Sequence, residues 1–290
     1  MISYGPMHKI CLNSPGKGDL AITIGIFDGI HLGHQNILKE LTAYPNNAVY
    51  TFNPHPRPNV KLVMPFSQRL QILRQLGAKT LFIATKKDHI LGQSTVDFIE
   101  AVLVKEINVK TIIVGQDFRL GHNRDTTAEH FKELCNKYGI KVKIINDLEY
   151  EKDKLSSTYI RDLISKADFE KTQKLLGRPY SISGVVVKGK GFGQKIGFRT
   201  ANINPHKDVI LPSSGVYATT TKIGNSEYKS VCFIGEGKRP VIEAHIPGIE
   251  LDLYGKRISV SFIKKLREVE RFNSISELAN AIRNDVKNSV

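Results

Sequence analysis

His31 and His34 stand three positions apart in GIFDGIHLGHQNIL (25 to 38), where an apolar run gives way to a helical pattern. Glycines at 25, 29 and 33 let the backbone approach a ligand closely. A helix opening near Gly33 turns free N–H groups and a positive dipole end toward phosphate. One turn apart, the two imidazoles can point at one phosphate and donate to the charge that builds on its oxygens during displacement. Such transfer needs no protein nucleophile, because positioning and electrostatics carry it. The structural alternative is that one histidine caps the turn and the other packs. Their place at a strand-to-helix junction favours phosphate chemistry.

Three further segments could serve the same ligand. LSSTYIRDLI (155 to 164) starts a helix at Ser156 or Ser157 and puts Arg161 on its first turn, where hydroxyls, amides and guanidinium can hold outer phosphates. Taken alone, it reads equally as a capped helix with a solvated arginine. TFNPHP (51 to 56) ends a strand with His55 between two prolines. VGQDFRLG (114 to 121) ends another and groups Asp117, Phe118 and Arg119 for polar contact and stacking.

The elements that must position these residues follow from the pattern. LAITIGI (20 to 26), AVYTFNP (48 to 54), KTLFIAT (79 to 85), TIIVG (111 to 115) and KVKIIN (141 to 146) have the length and β-branching of buried strands. Helices lie between them, one offering Ser67 as cap and Gly77 as stop, another starting at Ser94 with apolar residues at 96, 99, 102, 103 and 107. That alternation predicts a parallel sheet with right-handed crossovers, which binds ligands beyond the carboxyl ends of its strands. After KLLGRPY (174 to 180) strands follow one another without helices, as in an antiparallel barrel or sandwich, and a helix with apolar residues at 275, 278, 282 and 286 closes the chain. The boundary falls near residue 178, dividing the chain into 1–177 and 178–290.

At 290 residues, 41% hydrophobic and 24% charged, without repeats or low-complexity tracts, the composition excludes a disordered chain and a solenoid. No apolar run approaches the roughly eighteen residues of a membrane span, and the first twenty residues form no signal or transit segment, so a cytoplasmic protein is expected. Cys11, Cys135 and Cys232 are scattered and predict neither a zinc site nor a disulfide framework. A net charge of +14 favours polyanionic partners. The lysines are dispersed and no RNA-reading signature interleaves them with aromatics, which disfavours nucleic acid and leaves an anionic membrane surface or phosphorylated small molecules.

Taken in order, GIFDGIHLGHQNIL, TFNPHP, VGQDFRLG, SSTYIR, LLGRPY, GFRTANI, GVYA and DLYGKR resemble the bifunctional riboflavin kinase/FAD synthetase family over nearly the whole chain. The resemblance implies a Rossmann-like α/β nucleotidyltransferase domain followed by an antiparallel six-stranded β-barrel with a terminal helix. It implies that the first domain is an FMN adenylyltransferase, joining ATP and FMN to give FAD and pyrophosphate with Mg2+. Gly25, Phe27, Asp28, His31, Gly33, His34 and His55 would then hold ATP, with Ser157, Thr158 and Arg161 on the outer phosphates and Asp117 and Phe118 near the flavin.

For the barrel, the resemblance implies a riboflavin kinase that makes FMN and ADP from riboflavin and ATP. Gly189 and Gly193 would belong to a glycine-rich loop over ATP, Thr200 and Asn202 to the Mg2+ and phosphate site, and Glu243 would be the base for the ribityl hydroxyl. Two departures from the family pattern fall in the barrel: Arg199 stands where the family has proline before Thr-Ala-Asn, and the loop GEGKRPVIEAH is shorter than usual. They leave open an adenylyltransferase carrying a degenerate barrel. In the first domain Asp125 replaces a common glycine. Other transferases with this histidine motif, cytidylyltransferases or pantetheine-phosphate adenylyltransferases, do not account for the barrel. A basic RNA-binding or regulatory flavin-binding protein is a third reading.

Overall fold

A computed structural model describes residues 8–14, 16–85, 94–121, 124–146, 149–150, 153–189, 193, 196–237, 240–249 and 252–289. The chain forms two compact units. One runs to Val60 and resumes over Phe66–Ser157; the other combines Lys61–Pro65 with the chain from Thr158 onward.

The first unit contains strands β1 (His8–Cys11), β2 (Ala21–Ile24), β3 (Asn47–Phe52), β4 (Thr80–Ala84) and β5 (Thr111–Gly115). A short antiparallel pair, β6 (Arg119–Leu120) and β7 (Thr126–Thr127), precedes β8 (Lys141–Ile145), and a second pair, β9 (Glu149–Tyr150) and β10 (Asp153–Lys154), follows it. The main sheet has the order β1-β4-β3-β2-β5-β8, parallel except for β1 at the edge. Alternate side chains go to opposite faces, as a two-residue period requires. Ile22, Tyr50, Ile112 and Val114 meet Phe98, Val102 and Phe131, whereas Ala21, Val49, Leu81 and Ile113 meet Leu38, Leu41 and Leu73.

The covering helices are α1 (Leu32–Thr42), α2 (Phe66–Gln75), α3 (Thr95–Phe98, continuing as a π-helix over Ile99–Glu106) and α4 (Ala128–Asn136). Ser94 caps α3 and Thr127 caps α4, each accepting from an amide three residues on. Each large apolar side chain buried here contributes about 1.5–3 kcal/mol, so the strand ends are firmly held. From β2 the chain goes to β3 and β4 on one side and returns to β5 on the other. The reversal lies between β2 and β5, where sheets of this kind bind ligands beyond the carboxyl ends. Residues 25–31 follow β2 and residues 116–118 follow β5.

The second unit begins with α5, whose helix spans Ser157–Ser165, and α6 (Phe169–Leu176). A closed barrel follows, made of β11 (Ser181–Val187), β12 (Thr200–Pro205), β13 (Gly215–Ile223), β14 (Ser226–Ile234), β15 (Ile242–His245) and β16 (Arg257–Arg267) in the order β11-β12-β15-β14-β13-β16. Pairing of β11 with β16 closes it, which settles barrel over sandwich. The helix α7 (Ile275–Asn288) is capped by Ser274. Ser274 Oγ accepts from the Glu277 amide at 3.1 Å, and Glu277 accepts from the amide of Asn273, one residue before the cap, at 3.0 Å. Ala279 and Asp285 are its buried residues; of the expected apolar stripe, Leu278, Ile282 and Val286 are half-buried and Ile275 is 61% exposed.

Candidate active sites

The loop leaving β2 is contorted. Phe27 (φ 54°) and Ile30 (φ 41°) adopt left-handed backbone although both carry large side chains, and both are buried. Such residues store of order 1–3 kcal/mol each and persist only where the surroundings hold them. Here Gln35 Nε2 donates to the Ile30 carbonyl at 2.9 Å, and Ser157 Oγ donates to the Asp28 carbonyl at 2.8 Å.

The same loop delivers the histidines. His31 is the N-cap of α1, its Nδ1 accepting from the His34 amide at 3.4 Å. An accepting Nδ1 leaves the proton of a neutral ring on Nε2. The two rings stack, centroids 3.8 Å apart and 19° from parallel, and Phe27 packs on His34 at 5.1 Å. Gly33 permits this, since a Cβ there would lie 3.2 Å from His31 Nδ1. Burial, then the neighbouring His31 and Arg69, holds the His34 pKa well below the usual imidazole value, so the ring is neutral at physiological pH. His34 Nδ1 is shut from solvent and makes no hydrogen bond. Capping and phosphate chemistry, which the sequence poses as alternatives for this pair, are thus compatible: His31 caps and His34 faces outward.

His34 opens onto a cleft of about 580 Å³ that also takes in Gly25, Phe27, Asp117, Phe118 and Ser157. Its wall carries three exposed cations, Arg57, Arg119 and Arg124. Asp28, His31 and Gly33 are not at its surface; the first two are 3% and 5% exposed. His55 is also absent from the lining, its Nδ1 lying 3.1 Å from both the amide and the carbonyl of Arg57, so this segment reaches the cleft through Pro56 and Arg57 instead. Thr158 and Arg161 follow Ser157 on α5 within the second unit, joined by a 3.1 Å bond from Arg161 Nη2 to Thr158 Oγ1.

In the barrel, Thr200 pairs with His245 and Asn202 with Glu243 across β12 and β15. Alternation turns Ala201 and Ala244 inward, so Thr200, Asn202, Glu243 and His245 share the other face. Thr200 Oγ1 donates to Glu243 Oε2 at 2.9 Å. Together with Gly193, they line a cavity of about 380 Å³ walled by Phe198, Phe233, Leu278 and Ile282. Gly189 lies directly against Asn202, where a Cβ would come within 2.2 Å of the amide nitrogen. Residues 190–192 and 194–195 of the glycine-rich loop lie outside the described residues, as do 238–239 of the shortened one. The Arg199 side chain is exposed and lines a separate recess with Asp252 and Tyr254; its carbonyl accepts from His245 Nδ1 at 2.8 Å.

Residues 14–159 match the FAD synthetase family model and 176–290 the riboflavin kinase model. The chain belongs to the bifunctional riboflavin kinase/FMN adenylyltransferase family. Proteins of that description in Bacillus subtilis (30% identical, 98% of this chain and 95% of that one) and Buchnera aphidicola subsp. Schizaphis graminum (33%, 92% of each) are similar throughout. A crystal structure described as a macrolide-efflux protein from Streptococcus pneumoniae has the same fold, with a TM-score of 0.83, 26% identity and 96% of both chains covered. Among the described residues no helix is long and apolar enough to cross a membrane. The family works in FAD biosynthesis, and this chain carries both its FMN adenylyltransferase and its riboflavin kinase domains.

Two positions of this family member escape sequence reading. Arg69, on α2, is 5% exposed and donates to the Ile26 and Phe52 carbonyls, the second at 3.1 Å. Arg267, ending β16, grips Asp285 of α7 through Nε at 3.0 Å and Nη2 at 2.8 Å, and so fixes α7 beside the barrel cavity. Both lie in amphipathic or alternating segments where a charged residue reads as solvated; only tertiary packing buries them.

Proposed function

We propose that the chain carries out two successive transfers: riboflavin kinase in the barrel, then FMN adenylyltransferase in the first unit, in the cytoplasm, with the domain boundary near residue 178. In the second transfer an FMN phosphate oxygen attacks the α-phosphorus of ATP, and pyrophosphate leaves. The stacked His31/His34 pair at the start of α1, at the point where strand order reverses, carries this reading. His34 presents a neutral N–H donor to the α-phosphate, and the buried His31 supports it by capping α1 and stacking on its ring. Gly25, Phe27, Asp28 and Gly33 shape the backbone for the nucleotide, the cations of the cleft draw in the triphosphate, and Ser157, Thr158 and Arg161 take its outer phosphates. His55 supports the Arg57 segment. Asp117 and Phe118 take the flavin.

In the first transfer the terminal ribityl hydroxyl of riboflavin attacks the γ-phosphorus of ATP and ADP leaves. Glu243, oriented by Thr200, accepts the hydroxyl proton. The Thr200–Glu243 hydrogen bond, in register with Asn202 on one cavity wall, supports a working kinase in spite of Arg199. Gly189 and Gly193 let the loop lie close to the nucleotide. The Thr200 hydroxyl hydrogen is given to Glu243, and its oxygen lone pairs, with the Asn202 amide oxygen, are hard donors of the kind that suit Mg2+. Bound there, the cation would neutralise phosphate charge.

Crossed substitutions test the assignment. His34→Ala is expected to lower FAD formation from FMN about 100-fold, the usual cost of one transition-state donor, and to spare riboflavin phosphorylation. Glu243→Gln is expected to do the reverse. A single substitution that abolishes both reactions in a folded protein contradicts two separate sites.

A further inference from the structure

We propose that Arg69 is a positioning residue for adenylyl transfer, tying together the loops that leave β2 and β3 and holding a buried positive charge beneath the triphosphate site. The inference rests on the adenylyltransferase reading above. Nη1 donates to Ile26, immediately before the Phe27–His31 loop, and Nη2 donates to Phe52, immediately before the segment of His55 and Arg57. One planar fork therefore spans two strand ends, a geometry that a lysine ammonium cannot reproduce. The guanidinium also lies over the Phe66 ring at 4.8 Å, and its Nε has neither partner nor solvent.

A cation desolvated this far costs stability unless its surroundings use it. Burial lowers the Arg69 pKa to about 10, still far above neutrality, with Asp28 opposing the fall, so Arg69 stays charged. It in turn disfavours protonation of His34. The charged and titratable groups around His34 are the stacked His31, Arg69 with Asp28 behind it, and the cleft residues Asp117, Arg57, Arg119 and Arg124.

The test compares Arg69→Lys and Arg69→Met in the full chain, reading kcat and KM for FAD formation from FMN, its pH profile, the NMR titration of the His34 ring, and thermal stability. Arg69→Met is expected to lower kcat about 100-fold, as a misplaced reacting group does, with a smaller change in KM. Loss of the charge raises the His34 titration midpoint, and the acid limb of the pH profile moves up with it. Arg69→Lys keeps the charge and therefore the midpoint, yet loses kcat because one carbonyl is released. Wild-type kcat in either folded variant, or an unmoved midpoint in Arg69→Met, overturns the proposal. If Arg69→Met does not fold, Arg69→Lys decides alone; if neither folds, Arg69 is a core strut and the proposal fails. Should His34→Ala leave FAD formation intact, the site assignment fails instead, and the His34 titration still reports the charge of Arg69.

Discussion

Removing the carboxylate of Asp285 tests how the terminal helix is held. Asp285 is 6% exposed and takes three bonds from Arg267, Nε to Oδ1 at 3.0 Å, Nε to Oδ2 at 3.2 Å and Nη2 to Oδ2 at 2.8 Å. Breaking a buried pair by deleting one partner costs about 3–5 kcal/mol. Here the Arg267 side chain is 19% exposed, Glu270 lies 3.9 Å away, and the Phe272 ring is 5.5 Å from the guanidinium, so part of the charge is recovered. Asp285→Ala should therefore cost about 2–3 kcal/mol, which at about 1.4 kcal/mol per tenfold is roughly a 30- to 150-fold shift toward undocked α7. Amide hydrogen exchange over residues 275–288 reads this directly. The helix also brings Leu278 and Ile282 to the cavity wall, so the KM for riboflavin should rise while FAD formation from FMN is unchanged. Protection within about threefold of wild type would refute the pair as the holdfast of α7.

Gly189→Ala should abolish riboflavin phosphorylation and leave FMN adenylylation intact, because the new methyl collides with the Asn202 amide; product chromatography with each flavin checks it. Arg199→Pro should leave riboflavin phosphorylation within about threefold of wild type, since the carbonyl that accepts from His245 survives and the replaced side chain is exposed; steady-state kinetics measures it. Iodoacetamide at pH 8 should modify Cys11 and spare Cys135 and Cys232. Cys11 is exposed, whereas burial raises the other two thiols, Cys135 to about 12. Mass spectrometry should find one adduct on the native protein and three after denaturation.

The strands of the parallel sheet were readable because burial on both faces makes each a continuous apolar run, as in TIIVG or AVYTF. Edge strand β1, HKIC, has no such run. In the barrel the four long strands were visible by pattern, but β12 (TANINP) and β15 (IEAH) were not, since each gives alternate positions to the polar groups of the site. Polar side chains there interrupt the hydrophobic period. For the histidine motif, the strand-to-helix setting predicts a place beyond the carboxyl end of β2, and His31 caps the helix there. The cap made by His31 was not foreseeable as more than one of two options, because N-caps favour Ser, Thr, Asp and Asn. Arg69 sits in QRLQILRQ on a helix whose cations would ordinarily be solvated, and only the carbonyls of Ile26 and Phe52 give it a partner.

The most direct test of the two-site account is to give the purified protein ATP, Mg2+ and either riboflavin or FMN, and to separate the flavin products by chromatography. The account predicts FAD from both, with FMN appearing before FAD when riboflavin is the substrate. FAD from FMN alone would leave the Thr200–Glu243 cavity without its proposed chemistry, and no FAD from FMN would contradict the assignment of the His31/His34 cleft.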